Sequence, residues 1–247
     1  MTITIDGKPA VCQPGELLLD VAKRSGIRIP SLCHHDGLPG QGCCRVCIVE
    51  VEEGGRREVV ASCVYPVERE CAVFTSSDRV RRDREIVLAL LRAGAPASSE
   101  VESLCREYGA PDTGRFAAQA DDEKCILCGL CVKACESLGT GAISAVSRGI
   151  DKKVSTPYDE PSLACVGCGS CAAVCPTGAI QVLEDGSERA IWDKKLPLAL
   201  CKRCGVAYGT VFEHYRASVS AETQPPELCP QCRRKSMTDT MAETYGR

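Results

Sequence analysis

The sequence predicts an α+β protein assembled from consecutive small segments, and three observations carry that prediction. Residues 1–75 alternate apolar and polar side chains between glycine turns, as a small sheet does. Residues 78–108 space their apolar side chains as helices do. The phrase CILCGLCVKACE, Cys125 to Glu136, returns as CVGCGSCAAVCP, Cys165 to Pro176. At 247 residues the chain exceeds one ordinary domain, and its composition divides it into segments 1–77, 78–122, 123–184 and 185–247.

The elements follow in order. TITI at 2–5 reads as a strand, Asp6-Gly7 as a turn, VEV at 49–51 and VVAS at 59–62 as strands, with Gly54-Gly55 turning between them. Over Gly15–Gly26, Leu17, Leu18, Val21 and Ala22 share one helical face, and Gly26 suits the C-terminal cap. One helix against a sheet makes a compact α+β unit. From Asp78 to Ala93, Val80, Ile86, Val87, Leu90 and Leu91 mark a second helix, and Ser99 to Tyr108 a third, with GAPASS as the loop between them.

Composition excludes several function classes. Twenty cysteines would suggest a disulfide scaffold in a short secreted chain, but this chain is long, and MTITIDGK lacks the charged and apolar regions of a leader. No run approaches the roughly eighteen apolar residues of a membrane span. A cytosolic protein with reduced thiols is expected. A net charge of −3 gives no basic field for nucleic acid, and VRRDRE at 80–85 reads as a solvated helix face.

The repeated phrase has the bacterial ferredoxin spacing, in which the fourth cysteine of each run ligates the other cluster. This spacing assigns Cys125, Cys128, Cys131 and Cys175 to one [4Fe–4S] cluster, and Cys165, Cys168, Cys171 and Cys135 to a second. Gly129 and Gly169 let loop amides approach sulfur, which raises a cluster's potential. Zinc is the weaker alternative, because zinc sites seldom need two four-thiolate runs at this spacing. Glu136 stands where the second run has Pro176, which adds charge near one cluster and removes no ligand.

A second group lies upstream, where a glycine-rich loop carries Cys33, Cys43, Cys44 and Cys47, and Cys63 returns from a later strand. Four thiolates suffice for a [2Fe–2S] cluster, although the spacing is not the plant type. The phrases GCCRVC and SCVYPV resemble the N-terminal [2Fe–2S] domain of the large iron–sulfur subunit of respiratory complex I. The same domain opens the diaphorase iron–sulfur subunit of NAD-reducing hydrogenases and related hydrogenase and formate dehydrogenase subunits. The resemblance implies a β-grasp [2Fe–2S] ferredoxin domain, then a helical linker and a 2[4Fe–4S] ferredoxin domain, and it covers residues 1 to about 184. Its G-x-C-R-x-C phrase selects Cys44 and Cys47, leaving Cys43 an odd neighbour, and its S-C-x-x-P-V phrase makes Cys63 the fourth ligand with Cys33. Cys12 and Cys71 are expected to be small buried hydrophobes.

One departure is plain. The family commonly carries a further [4Fe–4S] site of one histidine and three cysteines, but residues 80–124 hold only Cys105 and no histidine. The two helices are expected to fill that space. His34 and His35 follow a ligand cysteine, yet the nearby thiolates make a Rieske-like role unnecessary; hydrogen bonding or packing is expected of them.

The third group pairs LCKRCG (200–205) with LCPQC (228–232), so that Cys201, Cys204, Cys229 and Cys232 form a four-thiolate metal site. Zinc is favoured, as a structural clip for a small tail. The alternative is a rubredoxin-like mononuclear iron, although Tyr208, Phe212 and Tyr215 are the only aromatics nearby. His214 is a weak candidate ligand, because four thiolates already complete a tetrahedron.

The chain has no dinucleotide fingerprint and no phosphate-binding loop, so it is expected to be non-catalytic by itself. Hydride-to-electron conversion needs a flavin from elsewhere. By resemblance, the chain is an electron-relay subunit of a cytosolic oxidoreductase. Its partners are then a flavoprotein with FMN and an NAD(H) site, and a catalytic subunit such as a hydrogenase or formate dehydrogenase. The alternative is a stand-alone multi-cluster ferredoxin-like electron carrier.

Overall fold

The computed structural model describes residues 1–112, 114 and 120–245. They form two compact units: residues 1–133 with 174–179, and residues 134–173 with 180–247, less the residues just excepted. Among the described residues no helix is long and apolar enough to cross a membrane.

The first unit opens with β1 (Thr2–Ile5) and β2 (Lys8–Val11), then β3 (Glu16–Leu17) and α1 (Leu18–Arg24). It continues through β4 (Ile48–Glu53), β5 (Arg56–Ala61), β6 (Pro66–Val67) and β7 (Ala72–Phe74). Five strands make a sheet in the order β2-β1-β7-β4-β5, with β1 and β7 parallel and the other neighbours antiparallel. Strand alternation turns Ile3 and Ile5 inward, where they meet Val49, Val51, Val73 and the Leu18, Val21 and Ala22 face of α1. The hairpins close on two residues: Asp6-Gly7 between Ile5 and Lys8, and Gly54-Gly55 between Glu53 and Arg56, all four at positive φ. Such turns follow the right-handed twist of the strands.

The helix expected over 15–26 is shorter than its apolar pattern. Glu16 and Leu17 are extended and pair with Val67 and Pro66, so the helix begins only at Leu18. Tertiary pairing overrides the local periodicity there. Gly26 takes the left-handed position after the cap, φ 70°, and its N–H donates to the Lys23 carbonyl.

Two helices follow, α2 (Asp78–Gly94) and α3 (Ser99–Tyr108). Ser77 and Ser98 cap them, each hydroxyl accepting from the backbone N–H three residues on at 3.3 Å. Leu88, Val101, Leu104 and Cys105 meet between the helices in a core shared with Leu32, Val46 and Leu130. Cys105 is an interior residue there, its thiol donating to the Leu88 carbonyl. The run at 80–85 is not wholly the solvated face expected: Val80 is buried, and Arg84, 2% exposed, donates to the carbonyls of Val46 (3.0 Å), Ile48 (2.6 Å) and Thr75 (3.2 Å), tying α2 to the start of β4.

The division between the units falls within α4 (Leu130–Ser137). The second unit contains the hairpin of β8 (Ser144–Val146) and β9 (Lys153–Ser155), then the short α5 (Ser170–Ala173). Next comes an antiparallel sheet of β10 (Leu183–Glu184), β11 (Glu188–Ile191), β12 (Lys194–Leu200) and β13 (Ala207–Thr210) in sequence order. α6 (Val211–Ser220) begins with a capping box of Thr210 and Glu213, and α7 (Pro230–Tyr245) ends the described chain.

Candidate metal centres

The first group of thiols is gathered by the β4–β5 hairpin. Cys47 immediately precedes β4 and Cys63 follows β5, and Ser62 bridges them by donating from its hydroxyl to the Cys47 carbonyl at 2.8 Å. The loop brings Cys33 and Cys44 to the same place, with the Cys44 N–H 3.4 Å from the Cys33 sulfur. All four are buried. The Cys33 sulfur is strongly favoured as thiolate by the thiols of Cys43, Cys44 and Cys63 around it; Cys44 and Cys63 are pushed up by the same contacts and by burial. Cys47 is held down at about 6, chiefly by Cys63. The loop closes tightly on this group: a Cβ on Gly40 would lie 2.6 Å from the Cys63 carbonyl, and one on Gly42 would lie 2.9 Å from Val64. Only glycine lets the loop approach that closely. Cys43 points to the rim and donates to the Cys128 carbonyl at 3.1 Å, so the odd neighbour joins this loop to the next group.

That next group is Cys125, Cys128, Cys131 and Cys175, all in the first unit. Burial raises Cys125 and pushes Cys128 up to about 11, and a negative Cys175 adds to both. The fourth cysteine of the second run thus stands with the first. Gly129 (φ 77°) turns the loop, and the N–H groups of Leu127 and Ala179 point at the sulfurs of Cys125 and Cys175, at 3.4 and 3.3 Å.

The converse holds in the second unit, where Cys135, Cys165, Cys168 and Cys171 line one cavity. Burial raises Cys165 and Cys171, and Cys135 acts on both. The Ala142 N–H lies 3.2 Å from the Cys135 sulfur. Side chains of the following sheet hold this loop. Lys194 Nζ donates to the carbonyls of Ser162 (2.9 Å) and Cys165 (2.7 Å), Arg189 to that of Gly167, and Thr210 to that of Val166. A Cβ on Gly167 would sit 3.0 Å from both Leu196 and Thr210. Ile191 and Trp192 complete the cavity wall. No motif marked these sheet residues; only their contacts reveal them.

In the C-terminal group, the sulfurs of Cys201, Cys204, Cys229 and Cys232 lie within 4.8 Å of one another, and Cys204 and Cys229 are 3.8 Å apart. A tetrahedron with metal–sulfur bonds of about 2.3 Å has edges of about 3.8 Å, so the quartet fits a single ion. Backbone N–H groups hold Cys201 down at about 6, whereas burial pushes Cys232 up to about 12. His214 lies aside, Nε2 3.2 Å from the Tyr208 carbonyl and its ring against Tyr208. His34 faces the carboxylates of Asp20 and Asp36 at 3.7 and 3.4 Å, and His35 accepts from the Gly37 N–H.

Sulfur quartets in glycine-lined loops, two of them built from exchanged runs, define an iron–sulfur electron-transfer protein. Residues 1–78 match the 2Fe-2S iron-sulfur cluster binding domain, and residues 118–182 match the 4Fe-4S dicluster domain. The chain carries both domains in this order, and the relatives it resembles are iron–sulfur subunits of complex I-like and NAD(P)-linked hydrogenase complexes. It is 37% identical to the NADP-reducing hydrogenase subunit HndD of Solidesulfovibrio fructosivorans, over 73% of this chain and 36% of that one. It is 30% identical to the mitochondrial NADH-ubiquinone oxidoreductase 78 kDa subunit of Neurospora crassa, over 78% of this chain and 29% of that one. A chain in the crystal structure of an NAD+-reducing [NiFe]-hydrogenase in the H2-reduced state superposes with a TM-score of 0.61 at 29% identity, covering 72% of this chain and 85% of that one. The chain spans about a third of the length of these two curated relatives.

Proposed function

We propose that this chain is the electron-relay component of a cytosolic NAD(P)-linked oxidoreductase. It passes single electrons between a flavoprotein with FMN and an NAD(H) site and a catalytic subunit such as a hydrogenase or formate dehydrogenase. Cys33, Cys44, Cys47 and Cys63 hold a [2Fe–2S] cluster. Cys125, Cys128, Cys131 and Cys175 hold one [4Fe–4S] cluster, and Cys135, Cys165, Cys168 and Cys171 hold another. The observation that supports the reading is the position of the fourth cysteines, Cys175 in the unit of Cys125, Cys128 and Cys131, and Cys135 lining one cavity with Cys165, Cys168 and Cys171.

Bound in these sites, the clusters supply one-electron carriage, which divides a hydride's two electrons into single steps. The chain's own residues do the rest. Gly40 and Gly42 let the first loop close over its sulfurs, and Cys43 ties that loop to Cys128, so two carriers are neighbours within one unit. Lys194, Arg189 and Thr210 fix the loop of the third carrier. The C-terminal quartet holds zinc and folds the tail around it.

Iron, zinc and acid-labile sulfide per chain, measured on protein purified without oxygen, test this together with EPR during stepwise reduction. About ten irons, ten sulfides and one zinc are expected from these ligand sets. About eleven irons without zinc would make the tail a mononuclear iron centre. Six or fewer irons would remove a cluster and break the relay. Isolation as a lone monomer from its native source, with no flavoprotein attached, would favour the stand-alone carrier.

A further inference from the structure

We propose that Trp192 sets the reduction potential of the cluster held by Cys135, Cys165, Cys168 and Cys171, by presenting its indole N–H within the cavity those four sulfurs line. The inference rests on that ligand assignment and goes beyond it, because Trp192 lies outside both the cysteine runs and the matched dicluster segment.

Three observations converge on this residue. The first is its backbone. Trp192 and Asp193 form the two-residue turn between Ile191 and Lys194, at φ 52° and 56°. Such a turn favours Asn-Gly or Asp-Gly, and a bulky residue in the left-handed region is unusual. The hairpin itself gains nothing from an indole at this position. The second is the side chain's direction. A turn tip ordinarily meets water, but Trp192 is half-buried and lines the cavity of the four cysteines. The third is its nitrogen. Nε1 is shielded from solvent and has no hydrogen-bond partner among the described residues. A buried indole N–H ordinarily finds an acceptor. The cavity the indole lines offers it the sulfurs of Cys135, Cys165, Cys168 and Cys171.

The turn is held firmly. Lys194, the next residue but one, is anchored on the carbonyls of Ser162 and Cys165, and Arg189 on that of Gly167. The indole is therefore fixed against the cysteine loop before any electron arrives. Reduction adds one negative charge to a cluster and its sulfurs. An N–H dipole fixed in the cavity of those sulfurs stabilises that charge and raises the potential, with little reorganisation needed at the moment of transfer.

Trp192→Phe keeps an aromatic ring and removes the N–H. In the full chain, purified without oxygen, it is expected to retain the wild-type iron and sulfide. EPR-monitored redox titration should then show one [4Fe–4S] signal moving to lower potential and the other staying in place. The expected size is about tenfold in the reduction equilibrium, or about 59 mV for one electron. Two unmoved midpoints, or two that move together, would overturn the proposal.

The chain contains a single tryptophan, which permits a second measurement with no substitution. Wild-type protein carrying 15N-indole tryptophan should show a nitrogen coupling on one reduced [4Fe–4S] signal in pulsed EPR. Its absence would overturn the proposal even if the Phe variant failed to load iron. A wild-type chain with only one [4Fe–4S] signal would instead refute the ligand assignment, and the role of Trp192 with it. Two wild-type signals with no nitrogen coupling would leave the assignment standing and remove Trp192 alone.

Discussion

The two runs of the repeated cysteine phrase are supported by opposite means. Cys128 of the first run sits in an apolar core with Leu88, Val101, Leu104 and Leu130, supplied largely by α2 and α3. The loop of the second run is held by polar side chains of the C-terminal sheet, with Lys194, Arg189 and Thr210 each donating to its carbonyls. A repeated sequence has acquired one support by burial and another by hydrogen bonding. Burial is non-directional and tolerates repacking, whereas hydrogen bonds fix individual atoms. The two sites should accordingly fail under different substitutions.

The largest effect is expected at Arg84, where the apolar side of the contrast has its own polar anchor. Arg84→Met would leave the carbonyls of Val46, Ile48 and Thr75 buried without this donor, beside the proposed ligand Cys47. Each orphaned acceptor costs about 1–3 kcal/mol. A loss of about 3 kcal/mol or more in denaturant unfolding of the first unit is predicted, with loss of the [2Fe–2S] EPR signal. Unchanged stability would mean that water or backbone movement satisfies those carbonyls.

Leu104→Ala tests burial alone. Leu104 is 5% exposed in the core that includes Cys128, and truncation at such sites costs about 2–5 kcal/mol. Iron should be lost from the cluster of Cys125, Cys128, Cys131 and Cys175, while the second [4Fe–4S] signal survives. Equal loss of both signals would show that the two supports are not independent.

Lys194→Met makes the reciprocal test. It removes the ammonium that joins β12 to the carbonyls of Ser162 and Cys165, at a cost of about 1–3 kcal/mol. The second [4Fe–4S] signal should broaden or disappear, and the first should stay. A wild-type spectrum would show that Arg189 and Thr210 suffice to hold the loop.

The contrast also explains what could be read from the sequence. The helices around Leu88 and Leu104 were legible from their apolar spacing, to which the structure adds the Ser77 and Ser98 caps and the left-handed Gly109. The turns at Asp6-Gly7 and Gly54-Gly55 carry the usual residues for their geometry. The sheet that anchors the second run was hidden by its own composition. Pro197 lies in β12, an interior strand of that sheet, where proline ordinarily argues against a strand, and Trp192-Asp193 is no familiar turn pair. Residues 185–247 therefore read only as a metal-bound tail, although Cys201, Cys204, Cys229 and Cys232 do come together there. The spacing of the two runs pairs Cys175 with the first and Cys135 with the second, and the two cysteines lie in the corresponding units. The supports of each site were not, because a donor to a distant carbonyl leaves no periodic trace.

The smallest effect is expected at Cys43, and it sharpens the choice of ligands in the first loop. Cys43 and Cys44 are adjacent, but Cys44 is buried with its N–H toward the Cys33 sulfur, whereas Cys43 lies at the surface and donates to the Cys128 carbonyl. Cys43→Ala should therefore keep the wild-type iron and sulfide content and a [2Fe–2S] signal of unchanged shape. It should lose one hydrogen bond, worth about 0.5–1.5 kcal/mol, in the contact between the two loops. Cys44→Ala, in contrast, should abolish the [2Fe–2S] signal. If Cys43→Ala abolished it and Cys44→Ala did not, the ligand would be the outer thiol. The cluster would then sit closer to the Cys128 loop, and the contact that joins the two carriers would be a ligand bond instead of a hydrogen bond.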